Sequence, residues 1–405
     1  MLREDATRPD ISFPEFVALV AAMFSLVALS IDAMLPALAE IAISMNVAGT
    51  NQAQLVVAMM LFGLGIGQLF YGPLSDSYGR RRPIYVGFAV FLVGSIICLF
   101  ADTMPGLLTG RFIQGLGVAG ARIVTVAVVR DLFEGRAMAR VMSFVMTVFI
   151  LVPAIAPMVG QGILLFAGWR AIFVALLAHS LVVLIWFAIR LDETHPPERR
   201  HSLSLRRNWR ATVEIIRNRQ SFGYIVAAGL IFGAFIGFLS SVQQIFDVTF
   251  DRKIEFPFWF ALMSLALGAA SLTNAKLVMR FGMQQLSRNA LYISAVVSTA
   301  FLIILLLPIS QSLGAIPQFV MFMAYMMVTF FFFGILFGNL NALAMEPLGH
   351  IAGIGASIVG AGTSIISSPL GVIVGQQFNG TIIPLVAGFA FYSMLSIWAM
   401  KWAAK

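Results

Sequence analysis

Three ionisable residues stand inside apolar runs: Asp32 in "ALSIDAMLP", and Arg111 and Arg122 in "RFIQGLGVAGARIVTVAVVRD". A charge in such a setting is expensive and normally faces a partner or a watery cavity. A carboxylate there can carry a proton. An adjacent guanidinium favours the ionised form and loss of water favours the acid, so motion between the two settings would load and release the proton. By helical rise, Asp32 lies ~8 Å and Arg111 ~9 Å beyond the middles of their segments, on the same side. That match suits a proton carrier tuned by Arg111. It suits a structural ion pair or a snorkelling arginine too. Arg122 follows Arg111 by about three helical turns, so both project from one face, with Gln114, Val118 and Thr125 near it. Arg122 fits recognition of an anionic or carboxylated substrate. It fits a buried acceptor on a neighbouring helix as well.

The segments that hold these residues are set by composition. The 405 residues are 60% hydrophobic and 11% charged. Soluble domains carry about 25% charged residues, so this chain lacks the means to cover a water-facing surface. Apolar runs of about 20 residues recur, bounded by polar breaks, at about 14–39, 53–73, 83–101, 105–129, 139–164, 169–190, 222–246, 256–279, 286–308, 315–342, 351–376 and 381–403. The polar, mixed-charge start differs from a cleavable signal. Of the 26 Lys and Arg, all but Arg111, Arg122, Arg170, Arg252 and Lys253 fall on the side that carries both termini. That asymmetry predicts cytoplasmic termini. The fold class expected is an all-α integral membrane protein with twelve transmembrane helices.

The widest break divides the chain into an N-terminal bundle (1–190), a linker (191–221) and a C-terminal bundle (222–405). Within the linker Leu205, Trp209, Val213 and Ile216 recur at helical spacing among basic residues, which predicts an amphipathic helix on the inner membrane surface. The breaks after the second and eighth spans read "SYGRRRP" and "VMRFGMQQL", and Gly79 and Gly282 occupy equivalent places. Met279 stands where the first copy has Asp76. This faint similarity suggests two six-helix, pseudo-symmetric halves with a site between them. One cysteine and four scattered histidines supply neither a disulfide nor a metal-ligand pattern. The net charge of +8 is topological rather than a sign of nucleic acid. The sequence has no phosphate-binding G-x-x-x-x-G-K-S/T loop, which disfavours an ATP-driven pump.

The stretch "GPLSDSYGRRRP" (72–83) fits G-x-x-x-D-x-x-G-x-R/K-R/K through Gly72, Asp76, Gly79, Arg81 and Arg82. The first span carries an Asp followed by Leu-Pro, and the fifth carries "PAIAPMVGQ" with Pro153, Pro157 and Gly160. With the fourth-span stretch and "EPLGHIAGIGAS", these motifs resemble the major facilitator superfamily, its drug:proton antiporters, and the bicyclomycin-resistance (Bcr/CflA) exporters in particular. Ser77, Ala156 and Gln161 depart from the usual motifs.

The resemblance implies alternating access, with spans one and four lining a central cavity and the fifth-span motif sealing the outer side against span eight. With those spans lining the cavity, the expectation from the residues themselves is proton coupling through Asp32 and Arg111, and substrate contacts by Arg122, Gln114 and Asp32. The resemblance also implies a cytoplasmic gate. Asp76 would accept from backbone N–H groups near His350 and Ile351 at the start of span eleven. Arg80 or Arg81 would reach Asp131, with Gly72, Gly79 and Arg82 completing the loop. The expectation is a monomeric exporter of amphipathic drugs or metabolites in a bacterial-type inner membrane. It would be driven by the proton gradient and need no cofactor or metal. A proton-coupled importer or a dedicated metabolite or siderophore exporter is the nearest rival, and a non-transporting receptor a remote one. Other polar groups in the spans, among them Gln243, Gln244, Asn339, Asn341 and His179, read as helix-bridging or packing residues. The many Phe and Met read as lipid-facing or packing residues.

Overall fold

The computed structural model describes residues 11–47, 49–200, 202–308 and 312–404. Arg3, Arg8 and Lys405, which contribute to the charge asymmetry, lie outside them. The fold is all-helical, so each spanning segment satisfies its own backbone hydrogen bonds where lipid offers none. In chain order the helices are α1 (Phe13–Asp32), α2 (Leu38–Ser44), α3 (Leu55–Tyr78), α4 (Arg81–Leu99), α5 (Met104–Leu132), α6 (Gly135–Phe166) and α7 (Arg170–Arg190). There follow α8 (Leu205–Arg217), α9 (Arg219–Gln244), α10 (Phe256–Phe281), α11 (Met283–Leu306), α12 (Ala315–Met345), α13 (Ala352–Gln376) and α14 (Ile383–Ala403). All but α2 and α8 are 19 residues or longer. Ten continuous stretches among the described residues are long and apolar enough to cross a membrane. The stretch Ala315–Gln376 covers both α12 and α13, and α6 adds a shorter apolar part, Leu151–Phe166.

Helix starts follow local capping. Thr103 Oγ1 accepts from the Gly106 N–H at the start of α5, and Asn218 Oδ1 accepts from Ser221 N–H at the start of α9. These bonds satisfy donors that the first turn leaves free.

Helices α3, α4 and α5 pack tightly together, and α9 packs with α13 and α14. The close approach of α3 and α5 depends on missing side chains. A Cβ on Gly63 would strike the Phe112 carbonyl, and one on Gly115 would strike the Met60 carbonyl. The first six long helices meet the last six chiefly through α3 with α13 and α6 with α10, and α3 also touches α9. The turns after α3 and α10 share a backbone conformation. Gly79 has φ 87° and ψ 177°, and Gly282 has φ 76° and ψ 157°. Residues with a Cβ rarely adopt this region, so glycine is required at both places.

Helix α8 forms where the linker pattern predicts it. It packs on α9 and α13 with Ala211 and Ile215 buried, while Trp209 and Ile216 are exposed. The Leu205 side chain lies outside the described residues.

Candidate binding cavity

Helix α1 ends at Asp32 for a local reason. Pro36, four residues on, has no N–H to bond the Asp32 carbonyl. The chain changes to a short 3-10 turn over Leu35–Ala37 before α2 resumes. Asp32 is therefore set at a break within a continuous membrane span, Phe13–Ser44. Its side chain is only 5% exposed, yet among the described residues it makes no hydrogen bond and no ion pair.

A cavity of about 110 Å³ opens against it. One wall carries Asp32, Arg122 and Pro153, from α1, α5 and α6. The facing wall is aromatic, with Phe232 and Phe235 from α9 and Phe330, Phe333 and Phe337 from α12. Phe235 and Phe333 stack with ring centres 4.3 Å apart and planes at 14°. Phe232 lies 6.1 Å from Phe333 at 17°, which extends the stack. A second cavity of about 330 Å³ shares Arg122 and runs past Gln68, Asn341 and Ser364 to Asp76 and Arg130 at the basic end of the bundle. The opposite end is tied shut. Asn51 Nδ2 donates to the Gln376 carbonyl at 3.1 Å and the Phe378 carbonyl at 2.8 Å, and Gln54 Nε2 donates to Gln244 Oε1.

The structure separates the two intramembrane arginines. Arg111 is fully buried and its donors go elsewhere than Asp32: to the Val56 carbonyl at 3.0 Å, the Ser30 carbonyl at 2.9 Å and Gln114 Oε1 at 2.8 Å. Gln114 in turn donates to Ser95 Oγ at 2.7 Å and is also fully buried. The expected Asp32–Arg111 pair is thus replaced by a bracket that ties α5 to α1 and α3. Arg111 and Gln114 stand outside both cavity linings, because neighbouring carbonyls and hydroxyls already occupy them. Arg122 is the converse. It lines both cavities and, among the described residues, has no hydrogen-bond or ion-pair partner.

The fifth-span motif is divided as well. Pro153 lines the cavity and Pro157 is buried. Gly160 faces α1 rather than α10, since a Cβ there would meet the carbonyl of Ala33, the residue after Asp32.

At the basic end, Arg80 is the hub. Its Nε donates to Asp131 at 2.7 Å, and its Nη1 donates to Asp76 at 2.7 Å and to Ser75 at 2.9 Å. Burial works against its charge, but Asp131 and Asp76 more than offset that and hold its pKa above the ordinary value. Glu193 accepts from the Arg80 and Arg81 N–H groups and stands beside Gly79. The Arg81 side chain goes to Tyr85 and the Ala188 carbonyl rather than to Asp131, and Arg82 is exposed.

The expected bonds from Asp76 to the start of span eleven are not formed. A 3-10 turn over Glu346–Ile351 delays α13 to Ala352, and His350 pairs with Glu214 at 2.6 Å. The Asp76 Oδ2 lies beside Gly353, 3.4 Å from where a Cβ would stand, and Gly72 packs against Ser357. The ion pairs of this loop therefore brace α3, α5 and the linker, while its approach to α13 is by packing.

Several polar residues bridge helices as their positions suggest. Asn339 bonds Asn274, Gln244 bonds Gln54, and His179 shares a hydrogen bond with Ser25 at 3.1 Å. The aromatic wall is what the sequence reading passed over. Phe232 and Phe235, and Phe330, Phe333 and Phe337, keep one helix face each. Among 36 phenylalanines that spacing does not single them out.

A helical bundle with a cavity between its two sets of helices, closed at one end, has the form of a membrane transporter. The family profile of the Major Facilitator Superfamily matches residues 17–372, and the chain belongs to that family of transporters of small molecules. It is 30% identical over 365 residues to the uncharacterized MFS-type transporter YdgK of Bacillus subtilis, covering 89% of this chain and 88% of the relative. It is 27% identical over 393 residues to the bicyclomycin resistance protein homolog of Haemophilus influenzae, covering 95% and 94%. The partially occluded inward open structure of the xylose transporter XylE from E. coli has the same fold. The TM-score is 0.69 at 15% identity, over 96% of this chain and 98% of that one.

Proposed function

We propose that the chain is a proton-coupled exporter of small amphipathic compounds, working by alternating access between its halves, 1–190 and 222–405. The carrying observation is the buried, unpartnered Asp32 on the wall of a largely apolar cavity. In this reading the ionised carboxylate binds the solute while the cavity faces the cytoplasm. When the cavity faces outward, an external proton takes the carboxylate and the solute leaves. Because proton and solute compete for one group, their movements are opposed, which is antiport. Arg111 acts at one remove. By holding the Ser30 carbonyl it fixes the last turn of α1 and so the placement of Asp32.

The charge asymmetry supports placing the basic end, and with it both termini, in the cytoplasm of a bacterial inner membrane. The loop around Arg80 then serves as the brace on which the cytoplasmic side opens and closes. The name of the Haemophilus relative supports antibiotics as candidate solutes. A monomer suffices, since the cavity is built within one chain.

The test is a resistance screen in an exporter-deficient strain, followed by efflux from proteoliposomes under an imposed pH gradient. The wild type should concentrate the compound against its gradient, and Asp32→Asn should not. Gradient-driven efflux by Asp32→Asn equal to wild type would remove Asp32 from the mechanism.

A further inference from the structure

We infer that the preferred ligands are rigid aromatic zwitterions, with an ammonium group for Asp32 and a carboxylate for Arg122. The inference rests on the reading that the cavity holding Asp32 is the solute site. Both side chains line one cavity and both lack a partner among the described residues. The remaining polar group on that lining, Ser264, already donates to the Phe260 carbonyl at 2.9 Å.

Charge balance then selects the ligand. With both groups ionised the cavity is neutral overall. A monocation satisfies Asp32 but leaves the guanidinium bare among aromatic rings, and a monoanion satisfies Arg122 but forgoes the ion pair at Asp32, which keeps its proton. A neutral ligand leaves the guanidinium unpaired, at the expense that a buried unpaired charge carries. A ligand with both charges satisfies both at once.

The spacing of the two groups indicates the body between them. Thr125 Oγ1 donates to Met23 Sδ at 3.5 Å, which sets α5 against α1. Three residues back from Thr125, Arg122 is level with Leu26. Asp32 stands six residues farther along α1, or about 9 Å at the helical rise. A ring system of two fused or linked rings spans such a gap. The stacked Phe232, Phe235 and Phe333 offer flat faces beside it. Offset stacking on these rings adds to the area buried.

This assignment agrees with exchange against protons. The ligand's ammonium takes the place at Asp32 that a proton would hold, and the proton leaves to water. The carboxylate on Arg122 changes no proton count. A purely anionic ligand would leave Asp32 its proton and be carried with it rather than against it.

The experiment uses the purified full chain and three probes at one pH with no gradient. They are 4′-(aminomethyl)biphenyl-4-carboxylic acid, its methyl ester and its N-acetyl derivative. The wild type should bind the zwitterion about tenfold more tightly than either singly charged analogue, the size expected for one charge-assisted contact. Arg122→Gln should bring the zwitterion to the level of the ester without weakening the ester. Asp32→Asn should bring it to the level of the N-acetyl compound. Arg122→Lys, which keeps the charge, should retain the preference.

Equal affinity of the wild type for all three probes would overturn the inference, and that comparison needs no variant. So would Arg122→Gln weakening the ester as much as the zwitterion. These binding ratios are independent of gradient-driven efflux, so failure here and failure of proton coupling are separate results.

Discussion

Arg111 and Arg122 sit on the same face of one helix, yet their surroundings are opposite. Arg111 is closed in by the Ser30 and Val56 carbonyls and by Gln114. Arg122 faces open space in two cavities. The Arg111 end of α5 is thus fully partnered, and the Arg122 end is left open to the cavities. A charged residue inside a membrane span is the stronger candidate for function where its neighbours leave it unsatisfied.

The largest effect should come from the satisfied arginine. Arg111→Ala would take the donor from the Ser30 carbonyl and from Gln114 Oε1, at a cost of roughly 1–3 kcal/mol for each unpaired group, and leave a void where the side chain packed. The expected result is a large fall in thermal midpoint and in the yield of monodisperse protein, read by size exclusion. If Arg111→Ala folds as well as wild type, the contrast between the two arginines fails.

Gly160→Val should rank next. Its new side chain meets the Ala33 carbonyl, and overpacking of this kind costs about 1–3 kcal/mol. Thermal unfolding checks the stability loss. Proton coupling should fall with it, because the displaced backbone carries Asp32. Arg122→Gln should shift stability by less than about 1 kcal/mol, since it removes a charge that no partner compensates. A midpoint drop as large as that of Arg111→Ala would show that Arg122 has a structural role. Phe235→Ala should have the smallest effect on binding, weakening aromatic ligands by about 1 kcal/mol of stacking while sparing aliphatic ones. Titration with matched aromatic and aliphatic ligands reads that difference.

The sequence made some of this legible and some not. The helical fold follows from apolar run lengths, which are local. The turn after α3 was visible because Gly79 and its Arg triplet are contiguous. Asp32 could be singled out because an acid in an apolar run has few explanations. The fate of Arg111 was hidden, because its acceptors are backbone carbonyls on two other helices and any residue type supplies a carbonyl. The neighbour of Gly160 is hidden for a similar reason: a glycine shows that something comes close, not what, and α6 meets α10 while Gly160 itself abuts Ala33. Glu193 is 113 residues from Arg80 in the chain, and no pattern links them before the fold does. The aromatic wall was hidden by abundance.

The most direct test is proton release on ligand binding, measured with purified protein in weakly buffered detergent solution. Near neutral pH the wild type should release up to one proton for each solute bound, and Asp32→Asn should release none while its thermal midpoint stays within a few degrees of wild type. Release from Asp32→Asn equal to wild type would place the exchanged proton elsewhere and contradict the account.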